Sequence, residues 1–162
     1  MPAKQAGDPI HPLVQRPLVV TRVFDAPRAL VFEAWTRPEY LARWWGPHHF
    51  TNSVCELDLR PGGAILIHMR GPDGTVYPMR GEFREIVPPA RLVFISFVEA
   101  GGAVALEILN TVTFEERRGK TAVTVEAKVL KATPDASPML AGMEPGWSQS
   151  LERLEALVHD LH

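Results

Sequence analysis

The most conspicuous group of chemistry-bearing side chains is Trp44-Trp45-Gly46-Pro47, followed at once by His48 and His49. Two adjacent residues at a helix end cannot point the same way. One indole is therefore expected in the core and the other over a cavity mouth or the surface. In the functional alternative one indole lines a pocket and stacks on a ligand, because an indole joins a large apolar face to an N–H donor. The histidine pair invites a metal, but neighbouring side chains on extended backbone face opposite ways. No nearby Cys, Asp or Glu repeats at ligand spacing, so no metal site and no cofactor are expected. A polar contact at a pocket rim and an ordinary surface position both stay open for His48 and His49.

Other candidates are single residues. Tyr77 and Ser96 fall on strand positions whose parity points inward, and a hydroxyl carried into apolar space needs a partner in protein, water or ligand. Cys55 shares its parity with Leu57 and Leu59; a lone cysteine in such a place usually acts as a small apolar residue. Asp58, Arg60, Gly62 and Gly63 form a turn, with Asp58 placed to accept hydrogen bonds from backbone or arginine. No Ser-His-Asp or Cys-His order is visible, and no glycine-rich phosphate loop precedes a helix. A general acid–base pair of Glu82 with Arg80 or His68 would need the opposite strand parity to the one read below. No catalytic residue is assigned.

The elements that must position these residues follow from periodicity and punctuation. Residues 1–16 hold three prolines and few large apolar groups, and read as an N-terminal tail or surface arm. The domain proper is 17–162. Leu18–Phe24 is a first strand. Asp25 and Thr36 are candidate caps, and Pro27 and Pro38 candidate early positions, of two short helices ending near Trp35 and Trp44. Six β-prone runs follow: 51–59, 64–70, 76–86, 91–98, 105–115 and 121–129. Pro- and Gly-rich turns separate them, which makes an antiparallel meander. Trp147, Leu151, Leu154, Val158 and Leu161 then form one apolar helical stripe. Pro145 predicts that the regular helix starts near it, after a turn or short helical piece at Ser137-Pro138, because an interior proline loses a hydrogen bond and clashes with the preceding turn.

That stripe needs a surface, and the only large one is the concave face of the sheet. Alternation puts Ile65, Ile67 and Met69 on that face, with Tyr77, Met79, Gly81 and Phe83 from the next strand. Leu92, Phe94, Ser96 and Val98, then Val112 and Phe114, then Thr121, Val123 and Val125 continue the set. A curved sheet gripping one helix leaves a cavity where the facing residues do not fill the space. The expected ligand-binding set is Trp45, Tyr77, Phe83, Phe94, Ser96, Met143, Trp147 and Leu151.

Composition limits the partners. The chain is 46% hydrophobic and 22% charged with a net charge of −2 over 162 residues, as for one folded domain. Nucleic acid and anionic membranes want a basic face, and neither is expected. The one cysteine forms no intramolecular disulfide, no run is apolar and long enough to span a bilayer, and the first residues lack the apolar stretch of a signal peptide. A cytoplasmic location is expected, as a monomer or homodimer.

Order and wording together resemble a known family. Arg22-Val23-Phe24-Asp25-Ala26-Pro27, Val31-Phe32-Glu33-Ala34-Trp35-Thr36, Trp44-Trp45-Gly46-Pro47 and Asp58-Leu59-Arg60-Pro61-Gly62-Gly63 come first. Gly81-Glu82-Phe83-Arg84-Glu85-Ile86, Thr111-Val112-Thr113-Phe114, Gly119-Lys120-Thr121 and Gly146-Trp147 follow. This pattern, over roughly residues 17–161, resembles the SRPBCC (START-like) superfamily and, within it, the family named after the activator of the Hsp90 ATPase. The resemblance implies an α+β helix-grip fold: a seven-stranded curved antiparallel sheet wrapped around a long C-terminal helix, with two short helices between strands 1 and 2. Relatives in the superfamily bind lipids, hormones and polyketides, and some are cyclases. Three functions follow as expectations: binding of a small apolar molecule, a cyclase- or hydrolase-like enzyme in the same pocket, or a module contacting a chaperone in a stress response. Fold alone does not choose among them.

Overall fold

The computed structural model describes residues 11–162. The element order is α1 (Pro12–Gln15), β1 (Leu18–Phe24), α2 (Arg28–Thr36), α3 (Pro38–Trp44), β2 (Thr51–Leu57), β3 (Ala64–Arg70), β4 (Val76–Val87), β5 (Arg91–Ala100), β6 (Ala103–Arg117) and β7 (Lys120–Ala132), then a 3₁₀ turn (Pro134–Ala136) and α4 (Ser137–Leu161). All seven strands form one antiparallel sheet in the order β1-β7-β6-β5-β4-β3-β2. Two short helices lie between β1 and β2, as the helix-grip reading requires. Of the expected tail, residues 1–10 lie outside the described residues. Within the rest, α1 begins where the His11 ring accepts the Leu13 N–H at 3.1 Å, and Leu13 packs against a buried apolar cluster to which β6, β7 and α4 contribute.

The strand parity read from alternation holds. Ile65, Ile67, Met79, Phe83, Leu92, Phe94, Val112, Phe114, Val123 and Val125 are buried in one cluster with Leu151, Leu154, Leu157 and Val158 of α4. Each such side chain contributes about 1.5–3 kcal/mol when removed from water. Glu82 and Arg80 face the other way, and Glu82 pairs with Arg84 at 3.3 Å. Leu59 lies beyond the end of β2 and is exposed, so the inward series there stops at Leu57.

Two helix starts differ from expectation. Pro27, not Asp25, is the N-cap of α2, and it makes no side-chain cap bond. Arg37, not Thr36, is the N-cap of α3; the Thr36 hydroxyl instead donates back to the Phe32 carbonyl at 3.0 Å. In each case the proline's fixed φ supplies the turn into the helix without a side-chain acceptor.

The break expected at Pro145 is also absent. One helix runs from Ser137 to Leu161 with Pro145 in its interior. The reason is the face it occupies. Pro145 and Ala141, the residue whose carbonyl loses its partner, are both exposed. The carbonyl left over lies on a solvent-facing side of the helix, which an inward-facing proline would not allow.

Candidate functional site

The Trp44–Pro47 segment is built by the end of α3. Trp44 is 0% exposed, and its indole N–H donates to the Ala34 carbonyl at 2.9 Å, tying α3 to α2. The helix stops at Trp45, whose half-buried ring lies 5.9 Å from that of Trp44 at a tilt of 57°. Gly46 then takes φ +99°, in the left-handed region that favours glycine. Its N–H donates to Ser150 Oγ on α4 at 3.1 Å.

Arg153 of α4 fastens this turn. Its Nη1 lies 3.1, 3.0 and 3.0 Å from the carbonyls of Trp45, Gly46 and Pro47, and its Nη2 lies 3.0 Å from that of Arg43. The guanidinium thus satisfies carbonyls left over at a helix end. Burial lowers its pKa. His48 completes the attachment: its N–H donates to Gln149 Oε1 at 3.1 Å, and its Nε2 lies 2.8 Å from Glu152. That places the His48 side chain in an exposed pairing outside the cavity.

Among the described residues, cavities of two sizes lie between sheet and helices. The larger, of about 610 Å³, is bounded by inner-face residues of β3–β6, by the Trp45-Gly46-Pro47 turn and by the first half of α4. The smaller, about 20 Å³, lies deeper among Trp35, Phe83, Phe94 and neighbouring apolar residues; Trp45 and Met79 border both. Helix α4 is therefore divided. Its C-terminal part is clamped in the core through Leu151, Leu154 and Val158; nearer its start Leu140 and Met143 are buried against the sheet, while Gly142, Gly146 and Ser150 border the cavity.

Of the eight residues expected to form the site, Trp45, Tyr77, Ser96, Met143 and Trp147 line the larger cavity. Phe83 and Phe94 line the smaller one. Leu151 is fully buried in the core and lines neither. Trp35, Trp45 and Trp147 form one continuous group along the cavities. Trp147 stacks on Trp35 with centroids 5.9 Å apart and meets Trp45 edge-on at 5.4 Å. Trp45 in turn stands between Trp147 and Phe94, 6.3 Å from the latter.

Tyr77 departs from expectation. Its parity is inward, yet it is 46% exposed, and its ring rests 5.9 Å from Phe50 at the cavity mouth. It sits near the start of β4, at the rim, so its hydroxyl is not carried into the interior. Ser96 is buried as expected, and its partner is a residue that sequence reasoning passed over. Asn110 of β6, 2% exposed, donates from Nδ2 to Ser96 Oγ at 2.9 Å and faces the same cavity. Extending the inward parity of Val112 and Phe114 back by two residues finds it. The second missed signal is the four-residue spacing of Gly142, Gly146 and Ser150.

Cys55 sits on the inner face of β2, opposite Ile67, and burial pushes its thiol pKa up to about 11. Thiolate is therefore scarce near neutral pH. A thiol reagent at pH 7.5 should label the native protein many times more slowly than the urea-unfolded chain. Above the ordinary thiol range the unfolded chain releases its proton first, so this residue lowers stability as pH rises from about 9 to about 11. Equal labelling rates for native and unfolded protein would contradict this placement.

Comparisons with known proteins agree with the fold. The chain is similar to a crystallised protein of Nitrosomonas europaea, with 28% identity and a TM-score of 0.77 over 90% of this chain and 96% of that one. A protein of Chromobacterium violaceum shares 28% identity with a TM-score of 0.79, over 89% of this chain and 97% of the other. One from Rhizobium leguminosarum shares 30% with a TM-score of 0.70, over 89% and 94%. No functionally curated protein matches. Among the described residues, no helix is long and apolar enough to cross a membrane. Residues 25–159, which span both short helices, six of the seven strands and nearly all of α4, match the model of the "Activator of Hsp90 ATPase homolog 1-like protein" family, and the chain belongs to that family.

Proposed function

We propose that this protein binds a small, largely apolar molecule in the larger cavity. The observation that carries the reading is an open space of about 610 Å³, walled mainly by apolar side chains, beside the buried core. That volume falls within the usual range for small-molecule sites, which are apolar with a few placed polar groups. The fold commonly binds hydrophobic ligands, which adds support. Trp45 and Trp147 offer flat faces for a ring or chain. Met69 and Met143 are flexible enough to adjust to its outline. Tyr77 edges the entrance, and Ser96 lies further in.

Native mass spectrometry of protein purified from its own host is expected to reveal a retained small molecule. The neutral apolar dye Nile red is expected to bind the emptied protein and brighten. Trp147→Ala should then cost less than about 2 kcal/mol of stability, short of the 3–5 kcal/mol usual for a packed aromatic. It should weaken Nile red binding about tenfold, as loss of a main contact does. A full-sized stability loss, together with no dye uptake by the parent protein, would overturn the reading.

A further inference from the structure

We infer that the cavity selects an uncharged apolar ligand bearing a hydroxyl group, recognised jointly by Asn110 and Ser96; this rests on the ligand-binding reading above. The two side chains are both buried and stand on adjacent strands at the cavity wall. Asn110 Nδ2 donates to Ser96 Oγ at 2.9 Å and lies 3.4 Å from the backbone carbonyls of Phe94 and Ile108. Those contacts occupy both protons of the amide nitrogen. They also set the orientation of the amide, because turning it over would put Oδ1 against two carbonyl oxygens.

What remains is an acceptor beside a donor. Among the described residues none donates to Asn110 Oδ1, and the Ser96 hydroxyl, which accepts from Asn110, has no acceptor of its own. Oδ1 is also not among the sealed-off polar atoms of the interior, so it is reached from the cavity. A ligand hydroxyl matches both groups: it donates to Oδ1 and accepts from the Ser96 O–H. A bare hydrocarbon leaves both unpaired, which is costly in a low-polarity site. A carboxylate has no proton for Oδ1. The described lining holds no Lys, Arg or His to offset its charge, and its one acidic residue, Glu99, has the same sign.

Titration calorimetry with 2-naphthol, naphthalene and 2-naphthoate near neutral pH tests this, with Nile red fluorescence run in parallel. The three probes share one ring system and differ only in the polar group. The parent protein is expected to bind 2-naphthol about tenfold more tightly than either of the others. Ser96→Ala and Asn110→Leu should each bring 2-naphthol down to the level of naphthalene, with naphthalene itself little changed. Ser96→Ala removes one oxygen only and carries the test if Asn110→Leu does not fold. Equal affinities for the three probes, a preference for 2-naphthoate, or a naphthol preference surviving in Ser96→Ala would overturn the inference. In those outcomes Nile red still binds and the pocket reading stands. If neither Nile red nor any naphthalene compound binds the parent, the pocket reading falls and the inference with it.

Discussion

Trp44→Ala is expected to lower stability by about 3–5 kcal/mol, the usual cost of removing a packed aromatic, while the same change at its neighbour Trp45 should cost far less. Trp44 has no exposed surface, packs on Trp35 at a centroid distance of 4.7 Å, and holds α3 to α2 through its bond to Ala34. Its removal opens a void and leaves the Ala34 carbonyl without that donor. Trp45 is half-buried and borders both cavities. Truncating it should merge the two spaces and change ligand uptake more than stability. Urea unfolding of both variants, with Nile red titration of each, separates these roles. For a chain of this size the Trp44 loss corresponds to a fall in Tm of about 10 °C. Similar stability losses at the two positions would show that Trp45 is an ordinary core residue.

The second large effect is expected at Gly63. A Cβ there would lie 1.9 Å from the Asp58 carbonyl oxygen and 2.9 Å from that of Arg60. Backbone must then move, since neither neighbour is a flexible side chain. The turn has little freedom to do so. Asp58 N–H donates to Ala64 O at 2.9 Å, Gly63 N–H to Arg60 O at 2.8 Å, and Phe83 N–H to Gly63 O at 2.9 Å. Gly63→Ala should therefore cost about 2–4 kcal/mol, through strain and broken turn bonds. Gly62→Ala, one residue earlier, meets no atom within 4 Å and is limited by its φ of +83°, so it should cost only about 1 kcal/mol. Thermal unfolding of the two variants gives the comparison. A Gly63→Ala protein as stable as the parent would mean that the turn adjusts freely.

Elements with strong local signals were legible from composition and period. The six runs between Pro- and Gly-rich turns became six strands, and apart from Tyr77 at the rim the predicted inward series from Ile65 to Val125 lie on the inner side. Alternation works here because one face of the sheet is buried against a helix, which leaves each strand a single favourable register. Helix ends were less legible. A proline's effect depends on the face it occupies. The apolar stripe of α4 leaves Pro145 on the opposite, exposed side, and there a proline stays inside the helix that its residue type alone predicts to begin near it.

The candidate site was legible only in part. Trp45, Ser96, Met143 and Trp147 could be named as inward-facing, and the structure brings them to one cavity. Leu151, on the same helical stripe as Trp147, lies in solid core instead. Parity and helical spacing give direction but not depth, so they cannot tell a side chain that meets its opposite from one that faces a gap. Depth depends on how far apart the sheet curvature and the helix tilt hold the two layers. The sequence alone thus determined the order of elements and the inward face of each strand, because these follow from local periodicity, while its motifs carried the resemblance to the family. Only the tertiary structure decided where the core stops and the cavity begins, which Trp is wall and which is core, and that Ser96 is paired with Asn110. Those depend on contacts between residues far apart in the chain.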